Sequence, residues 1–322
     1  MRLIRGLTNL KRLSGQADSP LADGCVATIG NFDGVHLGHK TIIDQVKQKA
    51  AELDVPSVVM IFEPQPREFF QGADAPPRLM PFRQKFEALL AEGVDVVLCI
   101  RFDERFRSYS AMGFVEDVLI QGLAVRHLVV GDDFRFGCDR AGDFRLLEQV
   151  GQEHDFTVEN TRTVTVDGER VSSTRVRNAL NVNGLEEAER LLGHPYRIHG
   201  RIVYGRQLGR QIGAPTANIL LHKMPALRGV YVVRARLETG EWCDGVANIG
   251  LRPTVDGKRP SLEVHLFDFA GTLYGQHLEV VFRHGLRDEV KFDSVDELRQ
   301  QIARDFEHAR AWLANKPVTP ET

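Results

Sequence analysis

The chain has 322 residues, more than one core of ordinary size needs, so two domains are expected. Its 41 Lys and Arg nearly balance 44 Asp and Glu for a formal charge of -3, and no long single-sign run offers a surface to nucleic acid or to an anionic membrane. Cys25, Cys99, Cys138 and Cys243 lie far apart, with neither C-x-x-C nor zinc-ligand spacing, and no apolar run resembles a signal-peptide core or reaches membrane-spanning length. A cytoplasmic chain without a disulfide framework is expected, and its oligomeric state is left open.

After a polar segment from Ser14 to Asp23, the short apolar run Cys25 to Ile29 reads as a buried parallel strand. The loop Gly30-Asn31-Phe32-Asp33-Gly34-Val35-His36-Leu37-Gly38-His39 follows directly. From Lys40 to Leu53, Ile42, Ile43, Val46, Ala50 and Leu53 recur at helical spacing, and Pro56 marks the exit. Alternation continues through strand Ser57 to Phe62, helix Phe82 to Glu92, strand Asp95 to Phe102, helix Ala111 to Gln121 and strand Val125 to Val130. Such a series predicts a parallel sheet covered on both faces, with ligands at the carboxyl ends of its strands.

The glycines of the first loop let backbone approach a polyphosphate, the helix start offers oriented N–H groups, and His36 and His39 can donate to phosphate oxygens. The same residues also fit a glycine turn bearing two surface histidines. A metal reading lacks a third ligand at recognisable spacing. The string is neither a Walker A loop nor a G-x-G-x-x-G fingerprint.

Three further segments have open readings. Phe62-Glu63-Pro64-Gln65-Pro66-Arg67 is a stiff strand exit, or one wall of a slot for a flat ring. In Gly131-Asp132-Asp133-Phe134-Arg135-Phe136-Gly137 the aromatic residues alternate with polar ones, so one face packs while Asp133 reaches a ligand or caps a hairpin. Ser172 or Ser173 can cap a helix on which Thr174 and Arg177 face the same way, as a plain helix start or as a phosphate clamp.

Leu185 to Leu192 reads as one more helix, broken at Gly193-His194-Pro195. Beyond it come short runs rich in Val, Ile and Tyr, at Tyr196 to Val203, Gly229 to Arg236, Trp242 to Ile249, Ser261 to Phe269 and His277 to Phe282. Their spacing predicts a small antiparallel barrel. A last amphipathic helix, Val295 to Leu313, presents Leu298, Ile302, Phe306 and Ala309 to it. The basic, glycine-rich stretch from Gly205 through Gly209 and Gly213 to Pro215-Thr216-Ala217-Asn218 sets Thr216 and Asn218 on one side of an extended chain, as a surface loop or as joint holders of a metal and a phosphate. Strand alternation puts Glu263, His265 and Phe267 on the face opposite Leu262, Val264 and Leu266; a carboxylate so placed faces solvent or does chemistry.

Gly30-x-Phe32-Asp33-Gly34-x-His36-x-Gly38-His39 resembles the nucleotidyltransferase signature of bacterial FAD synthetases. The segments at Phe62, Gly131 and Val171-Ser172-Ser173-Thr174-Arg175-Val176-Arg177 match that family in order. The second half resembles the riboflavin kinase module fused to it. P-T-A-N is followed there by Gly229-Val230-Tyr231, Gly245-Val246-Ala247-Asn248-Ile249-Gly250-Leu251-Arg252, Glu263-Val264-His265, Leu273-Tyr274-Gly275 and Arg287-Asp288-Glu289.

The resemblance implies a Rossmann-like α/β nucleotidyltransferase domain over residues 1–186 and a riboflavin kinase β-barrel domain with a C-terminal helix over 187–322. The barrel is expected to transfer the ATP γ-phosphoryl group to riboflavin, with Glu263 as base. Pro215, Thr216 and Asn218, with Gly209 and Gly213, are expected to bind ATP, Thr216 and Asn218 to hold Mg²⁺, and Arg252, Arg287 and Glu289 to bind flavin. The first domain is expected to adenylylate FMN. There His36 and His39 stabilise charge, and Gly30, Phe32, Asp33, Gly34, Gly38, Ser173, Thr174 and Arg177 join them on ATP. Phe62, Pro64, Pro66, Arg67 and Asp133 are expected on the flavin side. Asp133 stands where relatives also carry Asn, and its charge suits a flavin-ring or structural role better than a phosphate contact. Two alternatives accompany this reading: one module as a flavin-binding regulator, or an adenylyltransferase for another small phosphate such as a pantetheine or nicotinamide nucleotide.

Overall fold

The computed structural model describes residues 2–14, 16–205, 214–254 and 257–316, without the side chains of 252–254 and 257–258. The chain forms two compact units, one of Met1–Pro76 with Met80–Ser172 and one of Pro77–Leu79 with Ser173–Thr322.

The first unit is built on six parallel strands: β1 (Arg2–Arg5), β2 (Cys25–Ile29), β3 (Ser57–Glu63), β4 (Val96–Arg101), β5 (Val125–Val130) and β6 (Thr157–Asn160). Their order across the sheet is β1-β4-β3-β2-β5-β6. All of β2 is buried, because helices cover both faces and successive side chains enter different cores. Cys25, Ala27 and Ile29 join the core that contains Leu10, Leu119 and Leu147, whereas Val26 packs with Val46, Ala50 and Val129.

The covering helices are α1 (Gly6–Ser14), α2 (Leu37–Leu53), α3 (Pro66–Gln71), α4 (Phe82–Ala91), α5 (Glu104–Arg107), α6 (Ala111–Phe114) and α7 (Phe144–Glu153). The helix expected over Ala111 to Gln121 is α6 continued by a wider π turn, Val115–Ile120, which still buries Val115, Val118 and Leu119. A two-stranded ribbon, β7 (Thr165–Val166) and β8 (Glu169–Arg170), turns at Asp167 and Gly168, both with positive φ.

The second unit starts with α8 (Ser173–Asn181) and α9 (Leu185–Leu192). Strands β9 (Arg197–Val203), β10 (Ala217–Leu220), β11 (Gly229–Arg236), β12 (Trp242–Thr254), β13 (Gly257–Leu266) and β14 (His277–Arg287) then close an antiparallel barrel in the order β10-β13-β12-β11-β14-β9. Inside it lie Ala247, Ile249, Leu262 and Val264, all fully buried. Outside, Val230, Val232, Val246 and Phe267 pack against Phe306 and Ala309 of α10 (Val295–Asn315), capped by Ser294. The α8–α9 turn docks on the barrel through Tyr231, whose hydroxyl lies within hydrogen-bond reach of Asn183 Oδ1 and the Arg228 carbonyl. Among the described residues no helix is long and apolar enough to cross a membrane.

Candidate active sites

In the first unit, β2 is the strand from which the chain moves to β3 on one side and later to β5 on the other, so its carboxyl end opens at the topological switch point. The loop there is held by its own apolar residues. Phe32 and Val35 are buried despite positive φ, and Gly34 has φ of 90°. A Cβ on Gly30 would stand 3.0 Å from the Phe32 ring, so any larger residue there would have to push the ring aside by a few tenths of an ångström. Asp33 is only 1% exposed, and its Oδ1 accepts from the Met80 amide at 3.3 Å, so its carboxylate braces the loop.

His36 caps α2 at its N-terminus: Nδ1 accepts from the His39 amide at 3.3 Å, and the two imidazoles stack 3.6 Å apart at 15°. With Nδ1 accepting, the proton of the neutral ring sits on Nε2. Phe32 flanks His39 on its other side at 4.8 Å. A Cβ on Gly38 would crowd His36 Cε1 at 3.2 Å, so that glycine permits the stacked arrangement. The pair is thus an ordered element at a helix start, His36 buried and His39 partly so, where N–H groups and the helix dipole favour an anion.

At the end of β3, Phe62 packs edge-on against Phe102 at 5.7 Å. A cis Glu63–Pro64 bond follows, and Gln65 with Glu68 forms a reciprocal cap on α3, with Pro66 in its first turn and Arg67 exposed. Phe69, Phe70, Phe102 and Phe106 extend this into an aromatic wall on which Phe70 stays 60% exposed. Sequence reading named only Phe62 there; the Phe69-Phe70 pair within α3 was the missed signal. At the end of β5, Asp133 is exposed in a turn closed by Phe134 N–H to the Gly131 carbonyl, 3.0 Å, while Phe134 and Phe136 stack 5.5 Å apart against the core.

Buried Cys25 gives its Sγ to the Leu123 carbonyl at 3.3 Å. Burial pushes the Cys25 thiol up, and pushes Cys99 up to about 11, which leaves both as packing residues rather than nucleophiles.

Ser173 and Thr174 open α8 in the second unit, after Ser172. Arg177 is not a loose surface cation: its Nε donates to the Pro77 carbonyl at 2.7 Å.

The barrel organises its candidate residues by strand register. Asn218 of β10 is paired with Glu263 of β13, Glu263 with Asn248 of β12, Asn248 with Val230 of β11, and Val230 with Arg287 of β14. One row of side chains therefore runs across five strands. Glu263 does not face open solvent, because α10 covers this face. A cavity of about 250 Å³ between barrel and helix is lined by Thr216, Asn248, Glu263 and His265 on one side and by Leu298, Ile302 and Phe306 on the other. Arg287 and Glu289 lie at its edge, with Arg287 clamped by Asp305 at 2.8 Å and 3.1 Å. Gln301 also donates to Asp305 at 2.9 Å.

A second cavity, about 90 Å³, is lined by Gly205, Pro215, Thr216 and Asn218 and by Leu273 and Tyr274. Thr216 borders both cavities. Asn218 is buried, and its amide donates to the Thr216 carbonyl at 3.1 Å, with Oγ1 at 3.4 Å. Threonine hydroxyl and asparagine carbonyl are hard neutral oxygens, a donor set that fits Mg²⁺ completed by nucleotide phosphates. Among the described residues no group of three His, Cys, Asp or Glu side chains could hold a metal. Gly209 and Gly213 lie outside the described residues, as does the Arg252 side chain.

Asn248 and His265 were missed as site residues. Asn248 alternates with fully buried Ala247 and Ile249, which marks it as the polar member of an apolar strand. Burial holds His265 below the usual imidazole range, opposed by its bond to the Pro215 carbonyl.

Residues 18–175 match the family FAD synthetase and residues 192–313 the family riboflavin kinase. A bifunctional riboflavin kinase/FMN adenylyltransferase of Pseudomonas fluorescens is 53% identical over 316 residues, 98% of each chain. Proteins of the same name from Haemophilus influenzae and Escherichia coli are each 49% identical, over 97% and 99% of this chain and 99% and 100% of theirs. A crystal structure named as a macrolide-efflux protein of Streptococcus pneumoniae superposes with a TM-score of 0.77 at 30% identity, covering 97% of this chain and 100% of that one. With both family matches present and relatives about half identical from end to end, the chain belongs to the bifunctional riboflavin kinase/FMN adenylyltransferase family.

Proposed function

We propose that this chain phosphorylates riboflavin to FMN in its C-terminal barrel and adenylylates FMN to FAD in its N-terminal unit, with residues 1–186 and 187–322 as the two functional domains. The observation that carries the kinase reading is the row Asn218–Glu263–Asn248 beside a cavity roofed by α10.

In the barrel, Glu263 orients the ribityl 5′-hydroxyl and accepts its proton as the oxygen bonds to the γ-phosphorus and the bond to the ADP oxygen breaks. A carboxylate is a much weaker base than an alkoxide, so the proton moves late. Pro215, Thr216 and Asn218, with Gly209 and Gly213, receive the nucleotide, and Arg252, Arg287 and Glu289 are assigned to flavin binding. Mg²⁺ held by Thr216 and Asn218 supplies charge neutralisation across the phosphates when bound.

In the N-terminal domain, residues 1–186, an FMN phosphate oxygen attacks the ATP α-phosphorus and pyrophosphate leaves, without a covalent enzyme intermediate. His36 and His39 stabilise the developing charge, supported by their stacked, capped geometry at the α2 start. The ATP role extends to Gly30, Phe32, Gly34, Gly38, Ser173, Thr174 and Arg177, with Asp33 bracing the loop. Phe62, Pro64, Pro66 and Arg67 form the flavin side; Asp133 serves the flavin ring or its own turn.

Incubation with riboflavin, ATP and Mg²⁺, followed by mass detection, is expected to give FMN and then FAD. FMN without FAD, or no flavin nucleotide at all, refutes the two-activity reading.

A further inference from the structure

The β10–β13 ladder ends at the pair Ala217–Val264. The next step would set Thr216 beside His265, but Thr216 lies outside the strand, and Pro215 before it has no N–H to give a ladder. The His265 side chain takes over at this point. Its Nδ1 lies 2.8 Å from the Pro215 carbonyl, and because a carbonyl only accepts, Nδ1–H is the donor.

The ring is fixed on its other side as well. It stacks on Phe306 of α10 at 4.4 Å and 13°, and meets the edge of Phe267 at 5.7 Å. Phe267 is in turn covered by the Arg310 guanidinium at 4.3 Å, itself paired bidentately with Asp268. Glu263 lies two residues back on the same strand face, at a separation that extended backbone keeps constant. One imidazole thus connects the end of the P-T-A-N loop, the strand carrying the carboxylate and the helix over the flavin cavity.

We propose that His265 is a positioning residue for phosphoryl transfer: its bond to Pro215 continues the ladder past its last backbone pair and holds Thr216 at a set distance from Glu263. The proposal rests on the kinase reading of this site. His265 touches neither phosphate nor hydroxyl in this role and acts through the loop.

The test is steady-state kinase kinetics of the full chain with MgATP and riboflavin. In His265→Asn the amide nitrogen stands near the position of Nδ1, which keeps the donor and loses the ring. In His265→Phe the ring stays and the donor goes. In His265→Gln the amide reaches toward the Nε2 position instead, which offers a polar, flexible variant should the phenylalanine protein fold poorly.

The expected result is a KM for MgATP raised about tenfold in the Phe and Gln variants, within about threefold of wild type in Asn, and a riboflavin KM little changed in all three. A purely packing role would group Phe with wild type and Asn with Gln. That pattern, or an unchanged MgATP KM in both Phe and Gln, overturns the proposal. Tryptophan-monitored unfolding, which reports on the barrel unit through Trp242 and Trp312, is followed in parallel as a control on folding. If the wild-type protein itself makes no FMN, the kinase reading fails rather than the role of His265.

Discussion

Asn218 and Glu263 stand directly opposite each other on antiparallel strands, so the amide assigned to the nucleotide side and the carboxylate assigned to the hydroxyl are one strand spacing, about 5 Å, apart at the backbone. Their separation is set by the ladder rather than by loop conformation. Glu263→Ala is therefore expected to remove a base without disturbing the nucleotide loop. FMN formation should fall by about 10²- to 10⁴-fold while FAD formation from supplied FMN persists. Loss of both activities in a folded protein would show that the two chemistries are not divided as assigned.

The histidine pair gives the converse experiment. His36 also caps α2, and an alanine there would cost about 1 kcal/mol of helix stability on its own. His36→Asn keeps a cap and removes the imidazole. Combined with His39→Ala, it is expected to lower FMN adenylylation at least about 100-fold with riboflavin phosphorylation intact, measured as FAD and FMN yields on the same preparation.

Glu279 gives the barrel an acid-side limit. It accepts from Arg197 at 2.7 Å and lies 3.1 Å from His199 Nε2. Burial alone would raise its carboxyl, but the His199 and Arg197 contacts outweigh this and hold it down at about 2. A depressed folded value means that its stabilisation is complete above the unfolded value of about 4.5 and is lost as pH falls toward 2, at most about 3 kcal/mol. Both tryptophans, Trp242 and Trp312, lie in this unit, so tryptophan-monitored unfolding isolates it. Glu279→Gln should flatten the stability profile between pH 4.5 and pH 2; an unchanged slope would remove Glu279 from the account.

Gly250 lies under the Glu289 side chain: an added Cβ would fall 1.6 Å from Glu289 Oε1, the movable end of an exposed residue. Gly250→Ala is expected to leave the melting temperature within a few degrees while displacing Glu289 from the cavity edge. Riboflavin KM should rise severalfold with MgATP KM unchanged. Equal changes in both constants would mean that Glu289 does not serve the flavin side.

Asp305 is 4% exposed and holds Arg287 with both carboxylate oxygens. Removing it in Asp305→Ala leaves a largely buried guanidinium without its counter-charge, at a cost of about 3 kcal/mol read from urea unfolding. A cost below about 0.5 kcal/mol would place this pair with ordinary surface ion pairs.

Residues buried on both sides were the most legible in the sequence. Cys25 to Ile29 and Val58 to Phe62 stand where their apolar runs place them, because central parallel strands need continuous hydrophobic stretches. β1 was missed because its four residues begin and end with arginine, and β6 because Thr-Val-Glu-Asn carries a single apolar side chain. α7 went unread although Asp143 caps it and Leu147 and Val150 mark its buried face. Alternation correctly put Glu263 and His265 on one face of β13, but what covers that face is decided by Phe306, about forty residues on, which no local pattern reveals. The same holds for Asp33 with Met80 and Arg177 with Pro77, contacts made across long stretches of chain.

The two sheets end differently. The barrel closes on itself, so among the described residues its strands present no open edge to another chain. The parallel sheet is open, and its outermost strands β1 and β6 are four residues each, one bracketed by Arg2 and Arg5, the other bearing Glu159 and Asn160. Such short, charged margins are poor templates for strand addition, and they protect the protein against edge-to-edge aggregation when it is made in quantity.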